Sequence, residues 1–164
     1  MAKTTQYWLM KSEPEVYSID DFKKDKSTLW TGVRNYQARN FMMGEVPDKP
    51  GPFMQAGDLF LFYHSNATPP ACAGVGRIEK TGVPDPEQFD KKNEYFEPKA
   101  TETKPIWFCA KVKYIETLKK LVPLEEIRRE KALSKMTLIQ KGSRLSVQPV
   151  TKEEFDHILK MSQA

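Results

Sequence analysis

The amino-acid sequence predicts a single α+β domain, built as a small mixed β-barrel of about five to six strands with helices at its periphery. Three observations lead to this prediction. The 164 residues are the usual size of one domain, and 39% of them are hydrophobic and 29% charged. Five segments have the apolar patterns of strands, and capping-box motifs precede two helical segments. No repeat or low-complexity linker divides the sequence, which indicates one domain spanning residues 1–164.

The strand predictions depend on apolar runs and on alternation. Leu59–His64 is a continuous apolar run, which is typical of a strand buried on both faces. Gly74 and Gly76 lie inside another strand pattern, where glycines usually mark the bend or bulge that a small barrel requires. The predicted strands are Tyr7–Lys11, Leu59–His64, Ala73–Glu79, Ile106–Ile115 and Arg144–Val150.

The helix predictions depend mainly on their ends. Ser18 and Asp21 form a capping-box pattern, as do Thr151 and Glu154, and Gly44 follows a third helical segment. The proline-rich segment 46–55 is predicted to be a surface connection, and the polar, proline-rich segment 84–105 a long excursion of the chain. The predicted helices are Ser18–Lys24, Arg34–Met43, Pro123–Glu130 and a final one in which Phe155, Ile158 and Leu159 recur at helical spacing.

Charge and cysteine content restrict the kind of partner. A formal net charge of +4 favours polyanionic partners only mildly, so phosphate neutralisation alone cannot supply the affinity for a nucleic acid. Cys72 and Cys109 lie in apolar, strand-like surroundings and are predicted to be buried free thiols. Neither has a second cysteine nearby in the sequence, so we expect no metal site and no cofactor.

The N-terminal residues and the longest apolar runs of the sequence indicate the cellular location. No apolar signal core follows the N-terminal residues, and no apolar run approaches the length of a membrane span. We therefore expect an intracellular monomer that is neither secreted nor bound to a membrane. It would be cytoplasmic in a bacterium or nuclear in a eukaryote.

The segment 30–41 carries the most informative side chains. If Arg34–Met43 is helical, Arg34 and Asn35 fall on the same face as the apolar residues of that helix. An inward guanidinium and amide are costly without partners, and the free N–H groups of the helix start lie at the same end. Such a place suits a polar ligand or a phosphate. The alternative is that Arg34 pairs with an acidic residue, Asn35 caps a neighbouring strand and Trp30 belongs to the core.

Two predicted strands end in polar side chains that could meet this segment. Lys11, Ser12 and Glu13 close the first strand, and His64 and Ser65 close the apolar strand. A nucleobase pocket needs a flat apolar surface for stacking and a few fixed donors and acceptors at the edge of the base. Trp30 could stack, and Glu13 could accept a hydrogen bond from an exocyclic amine, as carboxylates do from cytosine N4.

These blocks of sequence resemble the EVE domain family. The resemblance is carried by YWLMKSEP at 7–14, Trp30 with GVRNYQARN at 32–40, FYHS at 62–65 and RLSVQPV at 144–150. It implies a PUA-like barrel related to the YTH and SRA base readers. It also implies a pocket for an extruded, modified base, above all a modified cytosine in DNA such as 5-methylcytosine or 5-hydroxymethylcytosine. Carried over by motif, the pocket residues are Lys11, Ser12, Glu13, Trp30, Val33, Arg34, Asn35, His64 and Ser65.

The sequence is compatible with three kinds of function. The favoured one is a nucleic-acid reader without catalytic activity, and the polymer could also be RNA. The second is an enzyme acting on a nucleobase, with His64 as general base, Cys72 or Ser65 as nucleophile and Glu13 as acid. The third is a barrel that binds a small molecule or a protein. The cations considered for contact with a nucleic-acid backbone are Arg39, Lys111, Lys113 and the pair Lys119 and Lys120.

Overall fold

The computed structural model describes residues 4–164, which form six strands and four α-helices. The strands are β1 (Tyr7–Ser12), β2 (Ser27–Leu29), β3 (Leu59–His64), β4 (Ala71–Pro84), β5 (Phe108–Pro123) and β6 (Val147–Val150). The helices are α1 (Ile19–Asp25), α2 (Tyr36–Met43), α3 (Leu124–Arg129) and α4 (Lys152–Gln163). Among these residues no helix is both long and apolar enough to cross a membrane.

The six strands form one mixed sheet in the order β2-β5-β4-β3-β1-β6. Strands β1 and β3 are parallel, and the other neighbours are antiparallel. The α+β class, the mixed pairing and the upper strand number agree with the sequence prediction. The sheet does not close into the expected barrel. Within residues 4–164 the strand order leaves β2 and β6 as free edges, so the sheet is open.

Two apolar layers cover the two faces of this sheet. In β1 the side chains of Trp8 and Met10 belong to the layer beneath α1 and α2, whereas Leu9 belongs to the layer beneath α3 and α4. In β3 Phe60 and Leu61 divide in the same way. Each fully buried side chain of this size contributes about 1.5–3 kcal/mol. The prediction that β3 is buried on both faces is therefore confirmed.

Gly74 and Gly76 leave room on β4 for two side chains, Ile19 of α1 and Phe60 of β3. A Cβ at Gly74 would overlap Ile19 and lie 2.8 Å from the Glu116 carbonyl oxygen. A Cβ at Gly76 would overlap the Phe60 ring. The register between β4 and β5 also shifts beside both glycines, which confirms the predicted irregularity in this strand.

Several predicted element boundaries were wrong. The strands β4 and β5 are much longer than predicted, β6 is shorter, and the three-residue strand β2 was not predicted at all. Both capping boxes are present, on α1 and on α4. Helix α2 begins at Tyr36, two residues later than predicted, because Asn35 is its N-cap and not part of the helix.

Candidate functional site

A cavity of about 500 Å³ opens where β1 and β3 end. Because these strands are parallel and Ser12 lies opposite His64, the segments that follow them lie side by side at one edge of the sheet. The segment between β2 and α2 forms the facing wall. The cavity is lined by Lys11, Ser12, Glu13, Val16, Tyr17, Thr28, Leu29, Trp30, Thr31, Gly32, Val33, Arg34, Ser65, Glu87, Tyr95 and Ser146.

Local hydrogen bonds fix the wall that follows β1. The Ser12 hydroxyl donates to the Tyr17 carbonyl oxygen at 2.6 Å, and the Ser65 N–H donates to the Ser12 carbonyl oxygen at 3.0 Å. The Glu13 carbonyl oxygen accepts from the N–H of Tyr17, which closes a turn. The Glu13 carboxylate is exposed and accepts from the Asn66 amide at 2.5 Å. This wall therefore presents an oriented carboxylate next to the cavity.

Lys11 brings a positive charge to the same wall. Its backbone N–H donates to the Ser146 carbonyl oxygen at 2.8 Å, which joins the end of β1 to the segment before β6. Burial lowers the pKa of its ammonium group. Within residues 4–164 Lys11 forms no salt bridge, since none of the acidic side chains lies within 4.0 Å. A partly desolvated cation without a counter-ion has donors available for a ligand.

Arg34 connects the opposite wall to a distant segment. Its Nη1 lies 3.0 Å from the buried carboxylate of Asp85, and its Nη2 donates to the Tyr95 carbonyl oxygen at 2.9 Å. Asp85 also accepts from the N–H groups of Gly32 and Glu87, both at 2.8 Å. The alternative in which Arg34 pairs with an acidic residue is therefore correct. Arg34 holds the segment 85–95 against the cavity wall and is not on the helix.

Tyr95 reaches the cavity because Gly32 leaves room for it. Gly32 has a φ of +82°, and a Cβ there would lie 3.0 Å from Cε2 of Tyr95. A side chain would therefore be strained by the backbone conformation and would displace the tyrosine ring. Beside it, the Thr31 hydroxyl donates to the Glu87 carboxylate. The segment 85–95 thus supplies both an aromatic ring and an acidic group to the site.

The apolar part of the cavity is also part of the core. Trp30 is 6% exposed and Val33 is 7% exposed, and both belong to the layer beneath α1 and α2. The Trp30 ring contacts Phe60 and Phe62 edge to face, with centroids 5.7 and 5.3 Å apart. The cavity therefore has a rigid apolar floor, held from behind by β3.

Comparison with known proteins establishes the family. The EVE domain profile matches residues 6–161. The chain belongs to the EVE domain family. Mouse thymocyte nuclear protein 1 is 39% identical, over 97% of this chain and 74% of its own length. A crystal structure from Pseudomonas syringae is 42% identical with a TM-score of 0.86, covering 95% of this chain and 99% of that one. The human THYN1 protein, crystallised in complex with DNA containing 5-methylcytosine, is 37% identical with a TM-score of 0.86, covering 98% and 99%.

Two of the nine predicted pocket residues do not line the cavity of this EVE domain. The side-chain oxygen of Asn35 accepts from the Ala38 N–H at 3.0 Å and so caps α2. Nε2 of His64 accepts from the Ile19 N–H at 3.1 Å, and burial lowers the pKa of this imidazole. Both side chains fix the elements that surround the cavity. The other seven, Lys11, Ser12, Glu13, Trp30, Val33, Arg34 and Ser65, line it.

The predicted cations have different surroundings. The guanidinium of Arg39 is partly buried, with Cζ 4.8 Å from the centroid of the Tyr36 ring. Lys111 and Lys113 are exposed on β5, opposite Leu29 and Ser27 of β2. Lys111 lies 4.0 Å from the Glu79 carboxylate. Lys119 and Lys120 are exposed farther along the same strand.

Sequence reasoning missed the residues that long-range packing brings to the site. Tyr95 and Glu87 lie in the segment that was predicted to be a long excursion, and its polar, proline-rich composition gives no periodic signal. Tyr17 lies just past the first block of resemblance, and burial with a hydrogen bond to Asp25 raises its pKa to about 12. Among the described residues, no cluster of three or more His, Cys, Asp or Glu could hold a metal ion.

Proposed function

We propose that this EVE domain reads DNA by taking an extruded, modified cytosine into the cavity at the ends of β1 and β3. The observation that carries the proposal is one cavity with a buried apolar floor at Trp30 and Val33 and with the charged groups of Lys11 and Glu13 on the wall at the end of β1. Its volume of about 500 Å³ is that of a small-molecule pocket. The crystal structure of the human relative with DNA containing 5-methylcytosine supports this ligand class.

The charged groups suit the polar edge of cytosine. The Glu13 carboxylate can only accept hydrogen bonds and so matches the exocyclic N4 amine. Lys11 and the hydroxyl of Ser65 can donate to the O2 and N3 acceptors. Val33 and Trp30 provide apolar surface for a C5 substituent. A base must leave the stack to reach these groups, which costs a few kcal/mol.

The surroundings of Cys72 and His64, the thiol nucleophile and the general base that were considered, support a binding role over a catalytic one. Burial raises the pKa of the Cys72 thiol to about 12, and Cys72 has no exposed surface. Nε2 of His64 is engaged by the Ile19 N–H, so that nitrogen is not free to deprotonate a hydroxyl. In this proposal the domain is a reader without turnover, and exposed cations such as Lys111 and Lys113 contact the phosphates.

Fluorescence anisotropy with matched duplexes tests this function. The duplexes carry cytosine, 5-methylcytosine or 5-hydroxymethylcytosine at one position. We expect a preference of several-fold for a modified cytosine, because an added methyl group in an apolar pocket contributes about 1–3 kcal/mol. A 5-methylcytosine opposite an abasic site should bind more tightly still, since no base pair has to be broken.

Affinity should also fall with salt, because phosphate contacts release counterions. Matched RNA strands, measured in the same way, test whether the protein prefers DNA or RNA. Equal binding of all duplexes would contradict the modified-base function. Binding that does not respond to salt would favour a small-molecule or protein ligand.

A further inference from the structure

A stacked pair of aromatic rings lies next to the cavity. The ring of Tyr36 stacks on the indole of Trp107, with centroids 4.8 Å apart and an interplanar angle of 22°. Trp107 is 6% exposed, whereas Tyr36 is 59% exposed. The tyrosine therefore rests on a buried base and presents its ring to the solvent. Core packing accounts for Trp107 but leaves the exposure of Tyr36 unexplained.

Arg39 lies at the side of this pair. Its Cζ is 4.8 Å from the Tyr36 centroid and 5.9 Å from the Trp107 centroid. A group on the outer face of Tyr36 would lie almost twice as far from the indole as from the tyrosine. The guanidinium is therefore beside the stack, and the outer face of Tyr36 is open to a third ring.

The guanidinium of Arg39 also has donors to spare. Nη1 donates to the Ile106 carbonyl oxygen at 3.0 Å, and Nε and Nη2 donate to the Asn40 side-chain oxygen at 3.1 and 2.7 Å. An arginine has five N–H donors, so about two remain. In the part of the chain that the structure describes, Arg39 forms no salt bridge. An anion can therefore bind it without displacing a carboxylate.

A single side chain joins this pair to the cavity wall. The Cζ atom of Arg34 lies 5.2 Å from the Tyr95 centroid and 5.2 Å from the Trp107 centroid. Arg34 and Tyr95 line the cavity, and Trp107 carries Tyr36. The open face of Tyr36 is thus within reach of a nucleotide that neighbours the one in the cavity.

We propose that Tyr36 and Arg39 form a shelf on which the nucleotide next to the extruded base stacks, with Arg39 binding its phosphate. This inference rests on the proposed function and adds a second contact to it. An open aromatic face accepts any base, because every base has a π-face. The shelf therefore contributes affinity for the strand, whereas discrimination among cytosines belongs to the cavity.

Short single-stranded oligonucleotides with a central cytosine or 5-methylcytosine test the shelf. Tyr36→Leu should weaken binding of both oligonucleotides about tenfold and equally, because one stacked base is lost. Tyr36→Phe keeps the stacking face and should bind as the wild type does. Gln37→Leu is the matched control, since it places the same leucine at the exposed neighbouring position. Thermal melting of each variant checks that α2 is intact.

A second readout does not depend on the variants. 2-Aminopurine on either side of the central base should lose fluorescence when the wild-type protein binds, because stacking quenches it. Arg39→Gln should reduce the slope of log affinity against log salt concentration by about one, as expected for the loss of one phosphate contact. The absence of quenching on both sides, or an unchanged affinity for Tyr36→Leu, would overturn the shelf. If the shelf exists but the cavity does not discriminate among cytosines, the wild type binds both oligonucleotides with equal affinity, and Tyr36→Leu still weakens the binding of both.

Discussion

Asp85→Ala is expected to lower the free energy of unfolding by about 3–5 kcal/mol, because it breaks a buried ion pair. Asp85 is 1% exposed and accepts hydrogen bonds from Arg34 and from the N–H groups of Gly32 and Glu87. Alanine leaves a partly buried guanidinium and two backbone donors without this partner. The segment 85–95, which carries Tyr95 into the cavity, loses its attachment to Gly32 and to the Arg34 guanidinium at Asp85.

Denaturant unfolding measures this effect. Asp85→Asn should be less destabilising, because its one amide oxygen still accepts from one of the two backbone donors, which bind different oxygens of the carboxylate. Asp90→Ala is the matched control: Asp90 is exposed, and its side chain accepts from the Lys92 N–H alone among the described residues. If Asp85→Ala unfolds at the same denaturant concentration as Asp90→Ala, Asp85 does not attach the segment as described.

Trp30→Ala alone is expected to lower the free energy of unfolding by about 3–5 kcal/mol, the usual range for removing a buried tryptophan. Trp30 is 6% exposed and packs edge to face on Phe60 and Phe62, so alanine leaves a void in the core as well as in the cavity floor. Denaturant unfolding measures the loss, and Trp30→Phe should recover part of it. A Trp30→Ala protein as stable as the wild type would contradict this packing.

Because Trp30 supports the core, Trp30→Ala is a poor variant for a binding experiment. Weak DNA binding by Trp30→Ala would report unfolding as much as the loss of a stacking surface. Variants at the exposed wall avoid this ambiguity. Glu13 is exposed, and its side chain accepts from Asn66 alone among the described residues, so substitution there leaves the core untouched.

Seven of the nine residues that were assigned to a pocket line one cavity, although several element boundaries were wrong. The parallel ends of β1 and β3 bring together Lys11, Glu13 and Ser65 because both strands carry strong apolar patterns. The helix after Asn35 was predicted to begin two residues too early, although asparagine is a preferred N-cap. That shift also placed Arg34 on the core face, when its partner Asp85 lies 51 residues away.

The parts that could not be predicted depend on tertiary contacts. Strand β2 has only three residues and forms because it pairs with β5 at Lys111–Lys113. Tyr95 belongs to a polar segment whose course is fixed by Arg34 and Gly32. The missing closure between β2 and β6 is likewise a property of the whole sheet, and no local pattern reports it. Periodicity identifies faces of elements but not which distant loop covers a cavity.

Recognition of cytosine by the cavity is tested by comparing 5-methylcytosine with thymine in single-stranded DNA. Both bases carry the C5 methyl group, and they differ where cytosine has the N4 amine and thymine an O4 acceptor. Fluorescence anisotropy should show that the wild-type protein prefers 5-methylcytosine about tenfold, because the Glu13 carboxylate accepts from N4 and repels O4. Glu13→Gln should bring the two affinities close together, since its amide can donate to O4.

Glu15→Gln is the matched control for this comparison, because Glu15 is exposed in the same turn but does not line the cavity. We expect Glu15→Gln to keep the preference of the wild type. Equal binding of 5-methylcytosine and thymine by the wild type, or a preference that survives Glu13→Gln, would contradict a cytosine-reading cavity at the ends of β1 and β3.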